Sequence, residues 1–289
     1  MRVFLVLPDL SMRKYATLQS LADKGILIDV LVSYTILSSK PSMLSRLQEL
    51  RQTGSIGEVM LDSGAYHLAR LGLNVDPLEY SNFAYKWLDL WDYVVAPDVP
   101  GDPDATLERT IEFAKYYRED FIPVIQGGSV DEYVKMGESL LDAIGYLNAS
   151  LTGIGGLDGF KRRAPFISKL VSSISRSLGL YKLHLFGVGS RIVKSLAKRG
   201  LLKYIYSVDT TAWLAEIMYR RNTVYKALDV VDANISAIIG YLKRIYSAIG
   251  AYDGGIREEL AEVNPYIYSE RRYIMEDLED AMLISDRGV

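Results

Sequence analysis

Short continuous apolar runs alternate along the chain with stretches whose apolar residues recur every three or four positions. The runs fall at 3–7, 28–32, 58–61, 93–96, 121–125, 150–154, 182–186 and 204–208. A strand buried on both faces reads as such a run, without the polar alternation of a half-exposed strand. Between the runs, the 3–4 spacing predicts helices over 43–52, 77–88, 103–117, 130–141, 164–177, 191–199 and 213–219. Asp76-Pro77 and Asp102-Pro103 mark two helix starts, an acceptor side chain before a residue with no N–H to leave unpaired. Eight strands alternating with helices predict an α/β protein of the (β/α)8 TIM-barrel type, with an open doubly wound sheet as the competitor.

From about Val224 the pattern changes. Residues 225–249 read as one long amphipathic helix, followed by Gly254-Gly255 and an acidic stretch over 258–286. The expected organisation is a barrel domain over 1–223 and a helical C-terminal extension over 224–289. The extension packs either on the barrel or on a second copy, which would make a homodimer.

Composition narrows the chemistry. The chain has no cysteine, which excludes disulfides, thiolate catalysis and cysteine-ligated zinc. Four Gln and six Asn among 289 residues hint at a hot-adapted source. No run reaches the roughly 18 apolar residues of a membrane span, and the expectation is a cytoplasmic protein that does not engage a membrane. The net charge of −3 conceals an asymmetry: residues 160–226 hold fourteen Lys and Arg but only Asp209 and Glu216 as acids. Such a cluster suits a phosphate backbone, with Lys161, Arg162 and Arg163 as the first contacts; the plainer reading is a set of solvated helices.

Six of the runs end on glycine or a carboxylate, where a parallel barrel gathers its functional groups. Asp62, Asp98 and Asp209 stand at strand ends three, four and eight. Paired carboxylates can serve a glycosidic bond as nucleophile and general acid/base, although one Asp at a strand end is more often a helix cap. Gly127-Gly128 and Gly155-Gly156 would let a ligand approach the backbone. Gly187-Val-Gly189-Ser190 could cradle a phosphate, and Tyr66 and Phe186 could stack on a planar ring. The two histidines, His67 and His184, lack metal-ligand spacing. The three carboxylates could hold Mg²⁺, but the expectation is neither a metal nor an organic cofactor.

Asp62-Ser-Gly-Ala-Tyr66, Gln126-Gly-Gly128, Gly155-Gly156-Leu157, Phe186-Gly-Val-Gly189 and Val208-Asp209 resemble, in order, the active-site motifs of tRNA-guanine transglycosylases. The resemblance spans about 57–213. It implies a barrel that exchanges guanine in a nucleic acid, tRNA or DNA, for a 7-deazaguanine base. Asp209 would be the nucleophile and Asp62 the general acid/base. Asp98 would bind the guanine edge, Gln126, Gly127, Gly156 and Leu157 would complete base recognition, and Tyr66 and Phe186 would sandwich the ring. The chain departs from the family at Ala65 and His67, and its zinc site cannot be built without cysteine. Two other readings remain open: a non-catalytic nucleic-acid-binding or accessory relative, and an unrelated phosphate-binding TIM-barrel enzyme that uses Gly187–Ser190 as its anion site.

Overall fold

The computed structural model describes residues 1–145, 151–157, 164–220 and 228–250. Eight parallel strands occur in chain order: β1 (Arg2–Leu7), β2 (Val30–Ser33), β3 (Val59–Asp62), β4 (Tyr93–Val94), β5 (Val124–Ile125), β6 (Thr152–Ile154), β7 (Leu183–Leu185) and β8 (Ile205–Thr210). They form one sheet in the order β4-β3-β2-β1-β8-β7-β6-β5. A parallel bridge between Val95 and Ile122 joins the two ends of that order. Ile122 N–H donates to the Val94 carbonyl at 2.8 Å, and Ala96 N–H donates to that of Ile122 at 2.9 Å. The sheet is therefore a closed (β/α)8 barrel, as the run count implies, and the open-sheet alternative is set aside.

The helices are α1 (Met12–Ala22), α2 (Tyr34–Ser39), α3 (Pro41–Gln52), α4 (Ala65–Ala69), α5 (Pro77–Lys86), α6 (Pro103–Tyr116), α7 (Val130–Ile144), α8 (Ala164–Ser177), α9 (Ser190–Lys198), α10 (Ala212–Arg220) and α11 (Val230–Ala248). Asp76 caps α5 through Leu78 N–H at 2.8 Å, and Asp102 caps α6 through Ala105 N–H at 3.0 Å, each before a first-turn proline. Within the segment read as an extension, α11 lies against α9, α10 and α1, so it completes the outer ring between the last helix and the first. No helix among the described residues is long and apolar enough to cross a membrane.

Successive strand residues face opposite sides, and each side has its own core. Val3, Leu5 and Leu7 of β1 pack outward with helix residues such as Leu18, Phe113, Ile167 and Ile238. Phe4 packs inward with Leu31, Met60, Val95, Ile122, Val124 and Leu151. The inner cluster fills the barrel from within, so ligands are confined to its ends.

Candidate active site at the C-terminal rim

Asp62 closes β3 and is followed by a turn that only glycine can make. Gly64 has φ +80°, and a Cβ there would lie 2.2 Å from Ser33 Oγ and 2.3 Å from Thr35 Oγ1. The turn aims the Gly64 N–H at Asp62 Oδ2, 2.8 Å away. Beneath it, the buried Tyr80 hydroxyl bridges the carbonyls of Leu61, at 3.2 Å, and Val95, at 2.9 Å, tying the ends of β3 and β4 together.

Asp98 lies in the loop after β4, which is fastened from behind. Gln126 Nε2 donates to the Val99 carbonyl at 2.7 Å and to Thr106 Oγ1, while its Oε1 accepts from Gly101 N–H at 3.1 Å. Gln126 is buried, and its amide is committed to this loop. Opposite, Tyr133 holds the Gly155 carbonyl at 2.7 Å. A Cβ on Gly155 would press on Val124 Cγ1 at 2.8 Å and stand 3.8 Å from Asp98 Oδ2, so this glycine is required by the barrel wall and borders that carboxyl.

Asp209 lies within β8, not after it. Register slips between β7 and β8: Leu183 pairs with Ile205, but His184 pairs with Ser207. The extra residue is Tyr206, and this bulge turns both Tyr206 and Ser207 inward. Asp209, two residues on, shares the inner face with Phe4, its register partner on β1. Its Oδ1 accepts from Gly187 N–H at 2.8 Å and lies 3.2 Å from His184 Nε2, while His184 Nδ1 lies 2.8 Å from Ser207 Oγ. The histidine is fully buried, edge-on to Phe186 at 4.4 Å and to Phe4 at 6.0 Å. Phe186 enters the barrel because Gly153 has no Cβ, which would meet its ring at 2.6 Å.

Asp62 feels the charge of both other carboxyl groups. Burial, then the charge of Asp98 and of Asp209, pushes Asp62 up to about 7, against the pull of the Gly64 N–H. Burial pushes Asp98 up to about 6. A carboxylic acid that titrates near neutrality can give a proton and take it back, which is the requirement for general acid–base catalysis. Among the described residues, no three His, Asp or Glu side chains are arranged to hold a metal ion.

The remaining candidate residues are distributed differently. Leu157 is a buried core side chain, and Gly156 adopts φ +66° with its α-carbon facing Gln126 and Tyr133. A Cβ on Gly127 would press on Glu132 Cβ at 2.9 Å, so that glycine serves the entry into α7. Tyr66 stands 56% exposed on α4, with no ring partner among the described residues. Gly187 gives its N–H to Asp209 and not to an open phosphate cradle. Lys161, Arg162 and Arg163 lie outside the described residues. The hydrogen bonds that join Ser207, His184 and Asp209 were not anticipated from the sequence. Their only signal was His184 on one apolar run and Ser207 two residues before Asp209 on the next.

No protein-family model matches the chain, and no curated protein matches it significantly. Solved structures do. A Coccidioides immitis protein assigned as a fructose-1,6-biphosphate aldolase matches at 12% identity and TM-score 0.55, over 86% of this chain and 91% of its own. The YdjI aldolase of Escherichia coli K12 matches at 10% identity and TM-score 0.52, over 87% and 93%. Likeness at this identity establishes the fold alone. The expected family is nevertheless corrected: the similar structures are aldolase barrels, not tRNA-guanine transglycosylases. With it go guanine exchange, the pentosyltransferase assignment and the proposed nucleophilic role of Asp209 at a ribose. The physical reason is visible at Gln126, whose amide is spent on the Val99–Gly101 loop instead of a base edge. The motifs that carried the resemblance are glycines and carboxylates at strand ends, which any barrel of this type gathers at its rim.

Proposed function

We propose that the chain is a barrel enzyme, unrelated to base exchange, that moves protons on a small hydroxy-carbonyl substrate at the C-terminal rim. The observation that carries the reading is the convergence there of Asp62, Asp98 and Asp209, with burial pushing Asp62 up to about 7 and Asp98 up to about 6. Protonated Asp62 would donate where negative charge builds on a substrate oxygen. A neighbouring carboxylate would take the proton released from a substrate hydroxyl or carbon. Addition–elimination and isomerisation at a carbonyl both fit this set of groups. The aldolase fold of the similar structures points to the lyase branch by analogy.

The test is exchange in heavy water. The protein is incubated with a panel of hydroxy-ketones, hydroxy-aldehydes and 3-hydroxy acids, and loss of substrate C–H signal is followed by proton NMR. At least one member should exchange faster than in buffer, and Asp62→Asn should slow it by about 10²–10⁴-fold. Exchange at the buffer rate across the panel, or an Asp62→Asn variant as fast as the parent, would overturn the reading.

A further inference from the structure

From Asp209 downward, the inner face of the barrel holds a line of three polar side chains, Asp209, His184 and Ser207, the last two fully buried. We propose that Ser207 and His184 are positioning residues that hold the Asp209 carboxylate so that Oδ2 alone faces the rim. This rests on the proposed acid–base site and names what orders one of its groups.

The direction of the hydrogen bonds follows from chemistry. A carboxylate only accepts, whereas a serine hydroxyl can donate or accept. Asp209 therefore selects the ring form in which His184 Nε2 carries a proton. In the neutral ring Nδ1 is then an acceptor, and Ser207 O–H donates to it across 2.8 Å. Gly187 N–H, a pure donor, reaches the same Oδ1 at 2.8 Å. Two donors fix one carboxylate oxygen, and among the described residues the other has no partner.

The packing makes the arrangement rigid. Edge contacts to Phe4 and Phe186 block ring rotation of the fully buried imidazole. The β8 bulge is what brings Ser207 opposite His184. In a regular strand, the residue after inward-facing Tyr206 would point outward, and His184 Nδ1 would face an apolar core. The bulge thus has a specific consequence: it supplies the hydroxyl that fixes the far end of the ring.

The experiment has one arm that needs no turnover. A His67→Gln protein labelled with ¹⁵N leaves His184 as the sole histidine, and its tautomer is read from long-range proton–nitrogen spectra. Nε2 should carry a proton throughout the folded pH range; a ring protonated on Nδ1 alone would overturn the proposal. The second arm uses the substrate found by heavy-water exchange. His184→Gln should lower kcat by about 10–100-fold with little change in KM, as expected when a group that orders another is lost. Ser207→Ala, a smaller change that preserves the ring, should lower kcat several-fold. Parental kcat in a folded Ser207→Ala or His184→Gln protein would overturn the positioning role. If no substrate exchanges, the proposed function fails while the tautomer arm still decides this inference.

Discussion

At the N-terminal end of the barrel, Asp29, Glu58 and Asp92 immediately precede β2, β3 and β4; at the other end, Asp62 terminates β3, Asp98 follows β4 and Asp209 is the penultimate residue of β8. The first group is tied down. Arg2 reaches Asp29 at 3.0 Å and Glu58 at 2.9 Å, and Arg51 reaches Asp92 at 2.6 Å. The other oxygens of Asp29 and Asp92 accept the backbone N–H groups of Glu58 and Val59, both at 2.8 Å, so the two together cap the start of β3. Gly57 makes this possible, because a Cβ there would lie 2.2 Å from Asp29 Oδ1. The rim carboxyls have no such cations among the described residues. Burial acts at both ends, and it raises even Glu58, against the pull of Tyr93 and Arg2. At the rim, among the described residues, only the backbone N–H groups of Gly64 and Ser63 oppose it for Asp62. Carboxylates in the floor are held by cations, whereas at the rim burial raises Asp62 and Asp98.

The sharpest way to break this contrast is to remove one group from each end. Asp62→Asn should cost about 10²–10⁴-fold in heavy-water exchange rate and leave the circular dichroism spectrum unchanged. Asp29→Asn should leave exchange intact but lower stability by about 1 kcal/mol in urea unfolding, since one strand-start acceptor and a half-exposed ion pair are weakened. Loss of activity in the floor variant with stability preserved would erase the distinction.

Stability against pH sharpens it further. Asp62 titrates at about 7 in the folded chain against 3.8 for an ordinary aspartate. The folded state therefore binds this proton more tightly, and the associated stability is present below about pH 4 and lost as pH rises through 7. Asp62→Asn cannot ionise. Its Tm should exceed the parent's at pH 8 and match it near pH 4, the pattern expected where a site trades stability for function. A smaller effect is expected at the floor: Tyr206→Phe removes the 2.7 Å contact with the Tyr93 hydroxyl and should cost about 0.5–1 kcal/mol.

The barrel was legible because buried parallel strands announce themselves as apolar runs, and all eight predicted runs overlap observed strands. The helix at 164–177 agrees with α8 at both ends. α1 escaped notice because its start lacks an Asp-Pro signal and Ser11 makes no side-chain cap. The rim carboxylates were legible as residues, since strand ends are countable. Their surroundings were not. Whether Gln126 points to a ligand or to its own loop depends on Thr106 and Gly101, twenty and twenty-five residues away. The role of Ser207 depends on a bulge, a one-residue slip between strands that no periodicity within β8 records. The same strand-end residues carried a family resemblance that the comparisons overturned, because a motif made of glycines and aspartates describes a barrel rim before it describes a reaction.

The contrast between the two ends depends most directly on the protonation of Asp62. Its side-chain carboxyl can be followed by ¹³C NMR across pH 3–9, with Asp62→Asn assigning the signal. A midpoint near 7 is expected, with the aspartate still half protonated at neutral pH. A midpoint near 4, the ordinary aspartate range, would contradict it and leave the rim with no acid to donate.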